Sequence, residues 1–181
     1  VQRGFIEVAD IIFFIFFAYG YVYMLIQNGT LDAILGFLIR KLGNRVELLI
    51  PVIMMTFGIL GATMGMYEEV YGLFPVFIGI AVALGYDAIV GGAMVTVGVA
   101  TGFAAAITNP FTLGVAQGII GLPLFSGVGY RVIVFLGFQI VAILYVWNYA
   151  RKVKENPEKS YMYGVQTTNL VQSSKEELLK K

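Results

Sequence analysis

The sequence predicts an all-α polytopic membrane protein, and three observations carry that expectation. Of 181 residues, 59% are hydrophobic and only 13% charged, against roughly 25% charged in soluble domains, and the mean hydropathy is +0.83. The apolar residues gather into four blocks, at about 8–27, 46–86, 88–120 and 130–150, where a simple membrane span needs roughly 20 residues. Residues 88–120 carry no charged side chain, yet Thr108-Asn109-Pro110 interrupts them near the middle. Cys and His are both absent, which excludes disulfide frameworks, thiolate chemistry, imidazole metal sites and His-dependent triads. The chain is therefore not expected to be an enzyme.

The amino-terminal region, 1–45, is read as one transmembrane helix followed by an interfacial one. The chain opens on Val1-Gln2-Arg3, with neither an initiator Met nor a signal peptide, and it ends in a polar segment, so it is expected to be a piece of something longer. Tyr19, Tyr21 and Tyr23 close the first apolar block and read as interfacial anchors, as do Tyr145, Trp147 and Tyr149 in the last block. After Asn28-Gly29-Thr30, residues 31–41 begin at a capping Thr30 and end on Arg40 and Lys41, which suits a short helix lying in the interface.

Residues 46–86 admit two readings. As two full spans they put Glu68-Glu69 in an outside loop; as a re-entrant hairpin they put Gly61 to Gly72 at a tip near mid-membrane. Three glycines in that dozen residues permit the tight turn a tip requires. Both readings return the chain to its starting side, so loop charge does not choose between them.

Residues 87–120 are expected to form one discontinuous helix. Pro110 removes a backbone donor and disfavours helix at Asn109, so the chain should unwind where lipid offers no hydrogen bonds. Such a break persists where it lines a polar cavity or is covered by protein, the arrangement secondary transporters use at their solute sites. An independent argument agrees. Basic residues cluster at Arg40, Lys41 and Arg45 and again at Arg151, Lys152 and Lys154, and the positive-inside rule puts both clusters in the cytoplasm. The number of crossings between them must then be even, which holds if 88–120 crosses once. Asp87 is expected to cap this helix.

Gly61/Gly65, Gly98/Gly102 and Gly114/Gly118 show the spacing that lets helices approach closely. Ordinary packing accounts for them, and smooth faces for sliding during alternating access are the functional version. Residues 121–151 supply a last transmembrane helix, and 152–181 a polar cytoplasmic linker with a capping-box spacing at Ser174 and Glu177.

The pattern GMYEEVYGLFP, followed by GYDAIVGGAM and ITNPF, resembles the amino-terminal half of the YfcC-like membrane proteins, which are grouped with the C4-dicarboxylate anaerobic carriers and the proposed basic amino-acid antiporters of the ion-transporter superfamily. The resemblance runs from about Gly4 to Lys154. It implies one half of an inverted-repeat secondary transporter: a re-entrant hairpin at 46–86 entering from the cytoplasm, a broken transmembrane helix at 87–120, scaffold helices at 1–45 and 121–151 that dimerise, and a second, inverted copy in a missing carboxyl-terminal repeat. It also implies a multi-pass protein of the bacterial inner (plasma) membrane.

Carried over by position, the resemblance makes Gly65, Met66, Glu68 and Glu69 the hairpin tip and Thr108, Asn109, Pro110 and Thr112 the unwound segment, together the candidate substrate or ion site. Relatives with a Ser-Asn-Thr tip bind sodium and carboxylate there, whereas this chain has Gly-Met-Tyr-Glu-Glu. Between Arg45 and Arg131 the only charged residues are Glu47, Glu68, Glu69 and Asp87, so this half presents no cation to a dianion. A cationic or zwitterionic amino acid, or a proton coupled through adjacent glutamates, is electrostatically easier. The expected function is secondary transport or exchange of amino acids such as basic amino acids, with the bilayer and a small solute as partners. Neither metal, cofactor nor nucleic acid is implied beyond a coupling proton or sodium ion. The competing readings are a C4-dicarboxylate or other carboxylate transporter, and a non-transporting assembly or anchor protein in which the break is only a kink.

Overall fold

The computed structural model describes residues 9–30 and 47–165, with isolated positions 2, 6, 33, 36, 37 and 40. The interfacial helix expected over 31–41 falls largely outside the described residues, as do Lys41, Arg45 and the capping-box spacing at Ser174 and Glu177. Among the described residues there are helices and no strands. They are α1 (Ala9–Gln27), α2 (Leu49–Met64), a 3-10 turn (Glu68–Leu73), α3 (Phe74–Ala83), α4 (Ala88–Ala105), a π-helical turn (Pro110–Gly114), α5 (Val115–Ile120), α6 (Val128–Glu155) and a short 3-10 turn (Pro157–Lys159). Residues Ala88–Ile120, taken through their break, and Val128–Glu155 are each long and apolar enough to cross a membrane.

The helix boundaries follow local chemistry. Pro51 sits in the first turn of α2 and Pro75 near the start of α3, where a missing N–H leaves no intrahelical bond unmade. The Asp87 carboxylate accepts the Val90 N–H at 2.9 Å, capping α4 as its position predicts. Gly65 ends α2 in the left-handed region at φ 74°, which costs a glycine nothing.

Helix α4 is central: it packs against α2, α3 and α6, and α2 also touches α6. Their shared core holds Ile50, Met54, Ile80, Val90, Met94 and Val99, all buried, and Phe57 meets Phe77 edge-on across the two arms at 5.3 Å. Small residues set the closeness of α2 and α4. A Cβ on Gly102 would collide with the Gly58 carbonyl oxygen, and one on Gly61 would come within 2.6 Å of the Val99 carbonyl oxygen. The 98/102 spacing is thus spent on packing between α2 and α4, whereas Gly118 meets nothing among the described residues.

Ends of four elements converge. Lys154 Nζ lies 3.8 Å from Glu47, 4.9 Å from the centre of the Tyr86 ring and 3.4 Å from its hydroxyl. A half-exposed ion pair of this kind contributes little stability, but it reports geometry: the start of α2, the end of α3, the N-terminus of α4 and the C-terminus of α6 share one end. The arms α2 and α3 therefore leave and return together, 88–120 runs away from that end and α6 runs back.

Two of the expected interfacial anchors have other partners. Tyr149 donates its hydroxyl to Asp87 at 2.5 Å and stacks on Tyr161 at 5.6 Å, and Trp147 is half-buried against the core. Tyr21, Tyr23 and Tyr145 are exposed, as an anchor would be.

Two outcomes are expected. Gly102→Ala should destabilise the detergent-solubilised protein by about 1–3 kcal/mol, because backbone must move to admit the methyl group, whereas Gly92→Ala, which meets nothing within 4 Å, should leave the melting temperature equal or higher. An impermeant maleimide should label Glu47→Cys and Lys154→Cys from the same face of sealed vesicles; labelling from opposite faces would refute the shared end.

Candidate functional site

The last turn of α2 lies against the break that follows α4. Helix α4 stops at Ala106, a left-handed residue at φ 47° whose N–H still bonds the Gly102 carbonyl; a non-glycine residue in that region carries about 1–2 kcal/mol of strain. The next backbone groups find partners on the hairpin. Thr108 donates its N–H to Ala62 O at 3.0 Å and its hydroxyl to Thr63 O at 3.2 Å, and Asn109 Nδ2 reaches Gly61 O at 3.4 Å.

Asn109 is fully buried and caps the turn beyond it. Its Oδ1 accepts the N–H groups of Phe111 at 2.9 Å and Thr112 at 3.3 Å. Pro110 begins that turn, where its missing donor is harmless, and the wider i→i+5 pattern appears in the 3.1 Å bond from Gly114 N–H to Asn109 O. Thr112 Oγ1 is buried with no hydrogen-bond partner among the described residues. Gly65 completes the contact, since a Cβ there would stand 2.5 Å from Asn109 Oδ1 and 2.6 Å from the Phe111 ring.

The structure thus brings together Gly65, Thr108, Asn109, Pro110 and Thr112. The remaining tip residues face other ways. Met66 is half-buried against the main core. Glu68 is exposed and Glu69 half-buried at the start of the 3-10 turn, where Glu69 Oε2 accepts the Tyr67 N–H at 3.0 Å. The Tyr67 ring packs on Phe103 at 5.1 Å, tying the tip to α4 on a second face, and α1 contacts the 3-10 turn. α-Helix is absent from 65 to 73, and 68–73 keeps 3-10 order, while 61–64 of the expected tip belong to the last turn of α2.

Two buried amides, Gln117 and Gln139, were not singled out from sequence. Gln117, buried on α5, accepts the Phe125 N–H and donates to Ser126 O at 3.1 Å and Ser126 Oγ at 3.0 Å, holding Phe125 in the left-handed region at φ 58°. Gln139 on α6 is fully buried and bonds to α2 and to Thr101 of α4. The available signal was an amide inside an apolar span, because hydrocarbon penalises it unless it has partners.

The arrangement offers more acceptors than donors. Asn109 Oδ1 consumes the first N–H groups of the π turn, while the carbonyls of Gly61, Ala62 and Thr63 each keep a second lone pair. Replacing Asn109 by Ala should cost about 1–2 kcal/mol through loss of the cap, and Gly65→Ala should destabilise by at least as much, being strained in both φ and space. Thermal melts of the two variants beside Gly92→Ala test this; unchanged melting temperatures would show that the junction contributes nothing to stability.

The family model DcuC, described as C4-dicarboxylate anaerobic carrier, matches residues 1–180. The chain is 35% identical over 135 residues to the Escherichia coli (strain K12) protein named "Putative basic amino acid antiporter YfcC", covering 74% of this chain and 26% of that protein. It is 32% identical over 163 residues to an uncharacterized protein of Haemophilus influenzae, covering 89% of this chain and 32% of that one. The chain thus spans between a quarter and a third of the length of these relatives. No solved structure matches it.

Proposed function

Because the chain belongs to the C4-dicarboxylate anaerobic carrier family, a family of membrane transport proteins, we propose that it is the amino-terminal repeat of a secondary active transporter working by alternating access, one that carries or exchanges amino acids such as basic amino acids. The observation that carries this reading is the junction between a two-armed hairpin and a broken helix, in which Thr108 and Asn109 bond the last turn of α2. A plain kink in an anchor helix has no need of a second element built to meet it. Residues 46–86 act as a re-entrant hairpin, 87–120 as the discontinuous helix, 1–45 as scaffold and 152–181 as the link to an inverted second repeat that supplies the other ligating groups. A homodimer in the inner membrane is the matching assembly.

Charge supports the substrate class. Residues 46–130 hold four acids and no base, and the junction offers carbonyl oxygens, which suit an ammonium or a coupling cation better than a second carboxylate. The relative named as a basic amino acid antiporter points the same way. The family's own description carries the second reading, a C4-dicarboxylate, whose two negative charges would need cations from the other repeat. Gly65, Met66, Glu68, Glu69, Thr108, Asn109, Pro110 and Thr112 form the proposed half-site. Glu68 and Glu69 face substrate or coupling proton once the second repeat closes over the tip.

Uptake of radiolabelled arginine, ornithine and a C4-dicarboxylate by the full-length protein, measured against pH, tests the reading. Gln at the essential glutamate should abolish exchange while insertion is unaffected, since a neutral amide neither balances a cation nor releases a proton. Asn109→Ala should weaken binding with less effect on the pH profile. Normal transport by Glu68→Gln, Glu69→Gln and the double variant would remove the glutamates from the mechanism, and transport of the dicarboxylate alone would replace the proposed substrate.

A further inference from the structure

We propose that Gln139 is a positioning residue: its amide ties α6 to both α2 and α4 and fixes the axial register that brings the hairpin tip against the break. The inference rests on the carrier reading for its functional consequence, but its geometry stands apart from it. Gln139 is 0% exposed, and its Nε2 donates to Met54 O of α2 at 2.6 Å while its Oε1 accepts the Thr101 hydroxyl of α4 at 2.5 Å. One side chain thereby bridges two helices from a third.

The seat is built for it. A Cβ on Gly58 would lie 2.7 Å from three atoms of the Gln139 amide, and a Cβ on Gly102 would strike Gly58 O, so the amide fills a notch left where the α2 and α4 backbones touch. Smooth glycine faces resist separation but not sliding, and directional hydrogen bonds supply the missing restraint along the axis. The restraint matters because the junction above it is intolerant of slip. Met54 precedes Gly65 by eleven residues and Thr101 precedes Asn109 by eight, and a shift of one residue, about 1.5 Å, would break the Asn109 bond to Gly61 O, already at 3.4 Å.

Neither partner needs Gln139 for its own satisfaction. Met54 O lies within α2, where the helix provides a donor, and the Thr101 hydroxyl also reaches Val97 O at 2.8 Å and Gly98 O at 3.0 Å. Gln139→Met keeps the volume and orphans no polar group, so it should remove the tie while the helices persist.

The test uses the full-length protein with spin labels at Met64→Cys and Val115→Cys, both exposed positions outside the proposed half-site, in a background without other reactive cysteines. In Gln139→Met the label distance distribution should broaden, membrane yield should equal the parent's, and KM for arginine should rise on the order of tenfold with kcat changed far less, because a smaller fraction of molecules is competent to bind. Thr101→Val should act in the same direction, and the double variant should be no worse than Gln139→Met. An unchanged distance distribution in Gln139→Met would overturn the proposal. So would additive effects of the two substitutions, or loss of folded protein in Gln139→Met, which would make the residue merely structural. Absence of uptake by the parent would count against the carrier reading alone, since the distance measurement needs no substrate.

Discussion

Backbone that leaves a helix inside an apolar region must find protein partners, and this constraint organises the molecule. Between Ala106 and Pro110 the chain cannot keep its own i→i+4 bonds, and it exchanges them for bonds to the last turn of α2 and to the side chain of Asn109. The hairpin therefore has to end where the break begins. That single requirement sets the length of α2, the left-handed turn at Gly65 and the buried amide at 109.

Close approach makes the exchange possible. Hydrogen bonds from Thr108 to Ala62 and Thr63 require α2 and α4 to run with their backbones in contact, and the glycines at 58, 61, 98 and 102 supply that contact by having no side chain to interpose. Packing of this kind carries dispersion energy without directional preference. Polar groups then add direction: Gln139 at the middle of the bundle, Asp87 at its base and Asn109 at the junction. Gln139 and Asn109 are fully buried, Asp87 is half-buried, and each is partnered, which is the condition under which such groups specify one arrangement rather than weaken it.

The base of the bundle joins α4 to the chain that follows α6. Asp87 Oδ2 accepts from Tyr149 and from Ser160 at 2.6 Å, and Tyr161 donates its N–H to the Tyr149 hydroxyl at 3.3 Å. The first residues after α6 are thus moored to the N-terminus of α4.

Sequence alone determined the class, the number of apolar segments, the site of the break and the cap at Asp87, because each depends on local properties: side-chain hydrophobicity, a missing N–H, a carboxylate before an apolar run. The resemblance set Gly65, Met66, Glu68 and Glu69 beside Thr108–Thr112, whereas the bonds from Thr108 and Asn109 to Gly61, Ala62 and Thr63, and the destinations of Glu69, Trp147 and Tyr149, were not legible at all. Tertiary structure decided these, together with the roles of Gln117 and Gln139 and the left-handed turns at Ala106 and Phe125. Their physical reason is common to all: a polar group or strained backbone in an apolar segment announces that it needs a partner, but the partner stands tens of residues away and is chosen by packing.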